Sequence, residues 1–133
     1  MSTARPLEGK RILFVDDDAD LRKMFRVALE AAGASVLDAA TVAEVTARLA
    51  EAPVDAMTLD WHLAGDSPDS LLRSLDALQP GLARRTLVVS GDPRIVGRGA
   101  STLPSGVHTL AKPFRPRDLI AAIERLIEAS TGA

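Results

Sequence analysis

The chain of 133 residues has no cysteine and few aromatic residues. The lack of cysteine excludes disulfides and thiolate chemistry. Aromatic residues make up only 3%, so Leu, Ile, Val and Ala must fill the core. No apolar run approaches the roughly 20 residues of a membrane span, and the polar first ten residues lack the apolar segment of a signal peptide. We therefore expect a cytoplasmic protein that does not contact a membrane.

The composition is otherwise that of an ordinary globular domain, with 47% hydrophobic and 26% charged residues. A chain of this length fits one domain that buries roughly two thirds of its unfolded surface. The net charge of −2 provides no general attraction to nucleic acid, so we expect no direct nucleic-acid partner. We predict a flexible N-terminus at 1–9, one domain at 10–129 and a short C-terminal tail at 130–133.

Short apolar runs alternate with helical patterns five times along the chain. Each run is followed by apolar residues at the spacing of an amphipathic helix, such as Leu21, Phe25 and Leu29. Thr41 and Glu44 form a capping-box signature before the second helix. This alternation predicts an α/β fold with a doubly wound, five-stranded parallel sheet. The predicted strands cover residues 12–15, 35–38, 54–59, 86–89 and 107–110.

Three adjacent carboxylates, Asp16, Asp17 and Asp18, follow the first predicted strand directly. Adjacent carboxylates repel one another, and they remain ionised in solvent or beside a cation. Mg²⁺ prefers oxygen ligands and commonly uses one or two protein carboxylates. Helix capping is the alternative, because an Asp at a helix start accepts hydrogen bonds from free N–H groups. The triplet alone leaves metal binding and helix capping open.

Polar residues also end the other predicted strands. Asp60 follows the third strand, Ser90 the fourth and Lys112 the fifth. Since ligands of open α/β sheets bind at the carboxyl ends of the strands, we expect these side chains to converge. Their types fit phosphoryl transfer onto a carboxylate, in which a cation, a Lys and a hydroxyl bind phosphoryl oxygens. Asp60 is the predicted nucleophile because it stands alone, whereas the pair Asp16 and Asp17 is better placed to hold the metal and Asp18 to start the helix.

The chain resembles the receiver domains of two-component response regulators from about Lys10 to Ala129. The resemblance is carried by four motifs in order: ILFVDDD, DAMTLDWHL with Asp60, LVVSGDP with Ser90, and LAKPF with Lys112. It implies a flavodoxin-like (βα)5 fold. It also implies that Asp60 takes a phosphoryl group from the phosphohistidine of a histidine kinase or a histidine phosphotransfer domain. Slow autodephosphorylation would follow, without enzymatic turnover.

The resemblance also assigns roles around the phosphoacceptor. Asp17, Asp60 and the backbone carbonyl of His62 would ligate Mg²⁺ or Mn²⁺, with Asp16 acting largely through water. Ser90 and Lys112 would contact the phosphoryl group, and the bond from Lys112 to the following proline is expected to be cis.

The sequence departs from the usual receiver pattern at one switch position, and its predicted fourth helix is weak. Thr109 occupies the position where receivers often carry an aromatic switch residue. The predicted fourth helix contains Gly97 and Gly99, so it is either an element that orders and disorders or simply a shortened connection. Trp61 and His62 follow the phosphoacceptor, where they either border the site and affect the lifetime of the acyl phosphate or merely cover the loop.

Two other functions are compatible with parts of the sequence. One is a receiver-like binding module that is never phosphorylated. The other is a small phosphatase of the haloacid dehalogenase type, with Asp16 as nucleophile and Asp18 as acid/base. For the receiver, we expect no DNA-binding output domain and signalling by protein contact, either alone or as part of a hybrid histidine kinase. The donor kinase, the downstream partner and the oligomeric state are not specified by the sequence.

Overall fold

The computed structural model describes residues 5–64, 68–91 and 107–131. The elements in these ranges alternate between strand and helix, with short 3₁₀ turns after β3 and before β4. The strands are β1 (Arg11–Val15), β2 (Ser35–Ala39), β3 (Ala56–Asp60), β4 (Thr86–Ser90) and β5 (His108–Ala111). The α-helices are α1 (Ala19–Ala31), α2 (Val42–Glu51), α3 (Pro68–Leu78) and α4 (Pro116–Thr131).

The five strands form one parallel sheet in the order β2-β1-β3-β4-β5. The chain moves outward from β1 to β2 and then crosses back to β3, so the direction of winding reverses between β1 and β3. This is the flavodoxin-like order, in which the reversal opens a crevice at the carboxyl ends of the strands. The predicted fold class is confirmed.

The core consists of two apolar layers, one on each face of the sheet. Side chains alternate along β1: Ile12 and Phe14 enter one layer, and Leu13 and Val15 enter the other. The first layer includes α1 and α4, and the second includes α2 and α3. Every residue of β3 and β4 is buried, as expected of parallel strands that are covered on both faces.

Local signals begin and end the helices as the sequence predicts. The Thr41 hydroxyl accepts a hydrogen bond from the Glu44 amide at the start of α2. Gly33 follows α1 with a φ of 105°, a backbone conformation that favours glycine. A Cβ at Gly33 would lie 2.8 Å from the backbone of Glu8, so the N-terminal segment packs closely against this turn.

The flexible N-terminus predicted at 1–9 is not free where the structure describes it. Leu7 is fully buried in the layer of α1 and α4, and its amide donates to the Ala32 carbonyl at 2.8 Å. The physical reason is that Leu7 covers apolar side chains at the amino end of the sheet. At the other terminus, α4 continues to Thr131, past the boundary drawn at 129.

Some predictions lie outside the described residues. These include the predicted fourth helix, with Gly97 and Gly99. No helix in the described ranges is long and apolar enough to cross a membrane.

Candidate functional site

The polar residues predicted to converge lie together at the carboxyl edge of the sheet. Asp60 ends β3, Ser90 ends β4, and Asp16 and Lys112 follow β1 and β5 directly. Asp16, Asp60 and Ser90 are 2%, 6% and 5% exposed, respectively, although all three are polar. Their burial follows from the parallel strand order, which brings these four strand ends to one edge.

Three carboxylates form a compact cluster there. One oxygen each from Asp16, Asp17 and Asp60 can be chosen so that all three lie within 4.8 Å of one another. Asp16 and Asp60 are buried, whereas Asp17 is exposed. Carboxylates this close are electrostatically unfavourable unless a positive charge lies beside them.

The Lys112 side chain provides one such charge. Its Nζ lies 3.1 Å from Asp60 Oδ2 and 3.4 Å from Asp16 Oδ2. The Lys112 amide donates to the Ser90 carbonyl at 2.8 Å, which fixes the start of the loop after β5. The peptide bond from Lys112 to Pro113 is cis, as predicted. One ammonium therefore contacts both buried carboxylates.

Burial and charge change the pKa values of two of these groups. Burial raises the pKa of the Asp16 carboxyl above its ordinary value, and the Asp18 amide and the Lys112 charge only partly oppose this rise. Burial alone would lower the pKa of Lys112, but its hydrogen bond and charge interactions with Asp60 and Asp16 outweigh burial and raise it. Lys112 therefore stays protonated at neutral pH, while ionised Asp16 carries a desolvation cost.

Asp60 is held from its other side by the turn that follows it. The His62 amide donates to Asp60 Oδ1 at 3.0 Å within the 3₁₀ turn Trp61–Ala64. The His62 side chain is exposed, and Trp61 is half-buried against the layer of α2 and α3. The two residues predicted at the site rim therefore lie in different environments, one facing solvent and one packed on the core.

Asp18 has a capping role that separates it from the other two acids of the triplet. Its Oδ1 accepts hydrogen bonds from the amides of Asp20 and Leu21, at 2.9 and 3.2 Å. These contacts make Asp18 the N-cap of α1. Both interpretations of the triplet therefore apply, each to different residues: Asp18 caps the helix, and Asp16 and Asp17 belong to the carboxylate cluster.

The sequence reasoning missed Arg22 and its partner Asp38, which lie beside the site. Arg22 donates from Nη1 to the backbone carbonyl of Asp16 at 2.8 Å, and its Nε lies 3.5 Å from Asp38 Oδ2 on β2. A charge on an amphipathic helix is usually solvated, so Arg22 gave no distinguishing signal. Arg22 reaches the acidic loop from the first turn of α1, and the pairing of β1 with β2 brings Asp38 beside it.

Thr109, the atypical switch position, lies in β5 beside Val88 of β4 and is half-buried.

A cleft of about 390 Å³ opens between the start of α1 and the loop after β5. The cleft adjoins the carboxylate cluster and is lined by Asp16, Leu21, Met24, Phe25, Lys112, Pro113 and Phe114.

The model of the response regulator receiver domain family matches residues 12–124, which is most of the chain. The chain therefore belongs to the response regulator receiver domains of two-component signalling.

Individual relatives agree with this assignment. The chain is 36% identical over 124 residues to the phosphate regulon transcriptional regulatory protein PhoB of Pseudomonas aeruginosa; the match covers 90% of this chain and 52% of PhoB. It is 31% identical to the response regulator receiver protein CpdR of Brucella abortus, covering 91% of this chain and 99% of CpdR. The chain thus spans about half of PhoB and almost all of CpdR.

A solved structure supports the fold. The CheY-like receiver domain protein of Methanospirillum hungatei JF-1 superposes with a TM-score of 0.74 at 27% identity, covering 92% of this chain and 97% of that one.

The carboxylate cluster offers a donor set for a divalent cation. Three carboxylate oxygens within 4.8 Å of one another are hard ligands of the kind that Mg²⁺ prefers. When all three carboxyls are ionised, a single Lys112 ammonium leaves the cluster negatively charged. The residues therefore fit a divalent cation in both ligand type and charge.

Proposed function

We propose that this domain accepts a phosphoryl group on Asp60, in a reaction that depends on Mg²⁺ or Mn²⁺. The observation that carries the proposal is the Asp60 carboxylate itself, which lies 3.1 Å from Lys112 and within the three-carboxylate cluster. The donor would be the phosphohistidine of a histidine kinase or a histidine phosphotransfer domain, because receiver domains generally take phosphate from histidine kinases.

In the transfer, a carboxylate oxygen of Asp60 forms a bond to phosphorus while the P–N bond of the phosphohistidine breaks. The electron pair of that bond stays on the imidazole nitrogen, and a proton from solvent keeps the imidazole neutral. The Lys112 ammonium would bind one oxygen of the transferred group as a point charge. The Ser90 hydroxyl, at the end of β4, would donate to another oxygen.

A divalent cation would neutralise charge on the phosphoryl oxygens. Asp17, Asp60 and the His62 carbonyl are the proposed ligands, with Asp16 acting largely through water. Slow autodephosphorylation would return the domain to its resting form, so the proposed role is a signalling switch.

The proposed output is contact with another protein in the cytoplasm. The net charge of −2 provides no general attraction to nucleic acid. Thr109 carries no aromatic ring that could rotate, so the signal would pass through Ser90 and the backbone that follows it.

Phosphorylation by acetyl phosphate with Mg²⁺ tests the proposal. Intact-protein mass should rise by one phosphoryl group, and neither Asp60→Asn nor a wild-type sample in excess EDTA should show the adduct. Transfer from phosphorylated histidine kinases would then identify the donor.

Each alternative has its own outcome in the same experiment. An adduct that is lost in Asp16→Asn and kept in Asp60→Asn would support the phosphatase hypothesis, although Asp18 already accepts two hydrogen bonds as a helix cap. No adduct under any condition would support a binding module that is not phosphorylated.

A further inference from the structure

The backbone of Asp16 is fixed on both sides. Its amide donates to the Ala39 carbonyl at the end of β2, at 3.1 Å. Its carbonyl accepts from Arg22 Nη1 at 2.8 Å. Its side-chain Oδ1 also accepts from the Asp18 amide at 2.9 Å. The loop between β1 and α1 is thus tied to β2 at one end and to an α1 side chain in its middle.

The neighbouring Asp17 carboxylate is held in a different way. It makes no side-chain hydrogen bond or ion pair within the part of the chain that the structure describes, and it is the exposed member of the cluster. The position of Asp17 therefore depends on its backbone. The Asp16 carbonyl and the Asp17 nitrogen belong to one planar peptide unit, so a bond that fixes this carbonyl also orients Asp17.

Arg22 is in turn held by Asp38. The Arg22 side chain is only 20% exposed, and its Nε lies 3.5 Å from Asp38 Oδ2. Arg26, one helical turn further along α1, approaches the other oxygen of Asp38 at 3.6 Å and donates to the Val36 carbonyl. Both arginines therefore connect α1 to β2. Of the two, Arg22 is the one that also donates a hydrogen bond to the acidic loop.

We infer that Arg22 is a positioning residue for the proposed cation site: by holding the Asp16 carbonyl, it aims the Asp17 carboxylate at the cation. This inference rests on the proposed function. Groups that orient metal ligands through hydrogen bonds commonly change metal affinity when they are removed. Arg22 would act in this way through a backbone carbonyl.

If Arg22 acted through its charge alone, its removal would change Mg²⁺ affinity in the opposite direction from the loss of a positioning hydrogen bond. Removing a positive charge near a cation site lowers electrostatic repulsion, so it should strengthen Mg²⁺ binding. Losing a positioning hydrogen bond should weaken it. The sign of the change in Mg²⁺ affinity therefore separates a positioning role from a general electrostatic one.

The test is calorimetric titration of the unphosphorylated protein with Mg²⁺ alone. Arg22→Ala should weaken binding about tenfold. Arg26→Ala is the matched control, because it removes a second partner of Asp38 without touching Asp16, and it should leave Mg²⁺ affinity unchanged. Arg22→Lys keeps the charge and one donor group, so it should restore part of the affinity.

A second measurement needs no metal. In amide NMR spectra without Mg²⁺, Arg22→Ala should shift the resonance of the Asp17 amide, because the Asp16 carbonyl in the same peptide unit loses a hydrogen bond. Arg26→Ala should leave this resonance unchanged. Where Arg22→Ala is too unstable to measure, Arg22→Lys and Asp38→Asn test the same contact.

The outcomes distinguish this inference from the proposed function. Equal or tighter Mg²⁺ binding by Arg22→Ala, beside a wild type that binds Mg²⁺ and forms the acyl phosphate, overturns the positioning role and leaves the function standing. A wild type that neither binds Mg²⁺ nor is phosphorylated overturns both.

Discussion

The two edges of the sheet treat their polar groups differently. At the carboxyl edge, buried carboxylates cluster around one Lys112 ammonium, and burial raises the pKa of Asp16. At the amino edge, one neutral side chain bridges several backbone groups. The Gln79 side chain donates to the carbonyls of Leu49 and Ala52, at 3.0 and 2.7 Å, and accepts from the Val54 amide at 3.0 Å. Leu7 covers the same end of the molecule with apolar surface.

This difference separates stability from function. A neutral amide that satisfies several backbone groups stabilises the fold, because each of those groups would otherwise lose its partner. Buried like charges cost free energy, so their presence at the carboxyl edge is expected where a cation or phosphoryl group binds. Substitutions at the amino edge should therefore lower stability, whereas removing a buried charge at the carboxyl edge should weaken cation binding and slightly raise stability.

The largest loss of stability is expected from Leu7→Ala. Truncating a fully buried Leu leaves a cavity and should lower the free energy of unfolding by about 3 kcal/mol. Chemical denaturation measures this loss. Leu78→Ala is the matched control, since Leu78 is 45% exposed, and it should cost well under about 1 kcal/mol. Equal costs for the two variants would show that the N-terminal segment is not part of the core.

A smaller loss is expected from Gln79→Ala. The substitution removes partners from two carbonyls and one amide around the end of α2, and it should cost about 2 kcal/mol. Denaturation gives the stability, and calorimetry should show unchanged Mg²⁺ affinity. Gln79→Glu keeps the acceptor for Val54 and loses the two donors, so it should also destabilise. A changed Mg²⁺ affinity would break the distinction between the two edges.

The smallest change in stability, a gain instead of a loss, is expected from Asp16→Asn in Mg²⁺-free buffer. The folded pKa of Asp16 is raised above 3.8, so its ionised form destabilises the fold. This cost is absent below the unfolded pKa and grows as pH rises through the folded pKa. Asp16→Asn should therefore melt at a slightly higher temperature than wild type at neutral pH, with the difference vanishing in acid.

Asp18→Asn provides the control within the same triplet. Asn caps helices about as well as Asp, so this variant should melt close to wild type at neutral pH. Added Mg²⁺ should stabilise wild type more than Asp16→Asn. A variant Asp16→Asn that is less stable than wild type without Mg²⁺ would show that the carboxyl edge is not under electrostatic strain.

Much of the fold and of the candidate site was predictable from local patterns. Strand positions followed from apolar runs, and the start of α2 followed from Thr41 and Glu44. Asp60, Ser90 and Lys112 became candidate site residues because each ends or follows a strand. Leu7 was missed, since a single Leu among polar residues carries no periodic signal, and Arg22 was missed because its partners lie on other elements.

The sequence by itself determined the alternation of strands and helices and the residue types at the strand ends, since both depend on neighbours a few positions away. The tertiary structure decided which of those residues meet. Lys112 and Asp16 are 96 residues apart, and they touch because β1 and β5 end at one edge of a parallel sheet. The same packing gives the three acids of the triplet different places. Asp18 caps the start of α1, whereas Asp16 and Asp17 lie in the carboxylate cluster with Asp60.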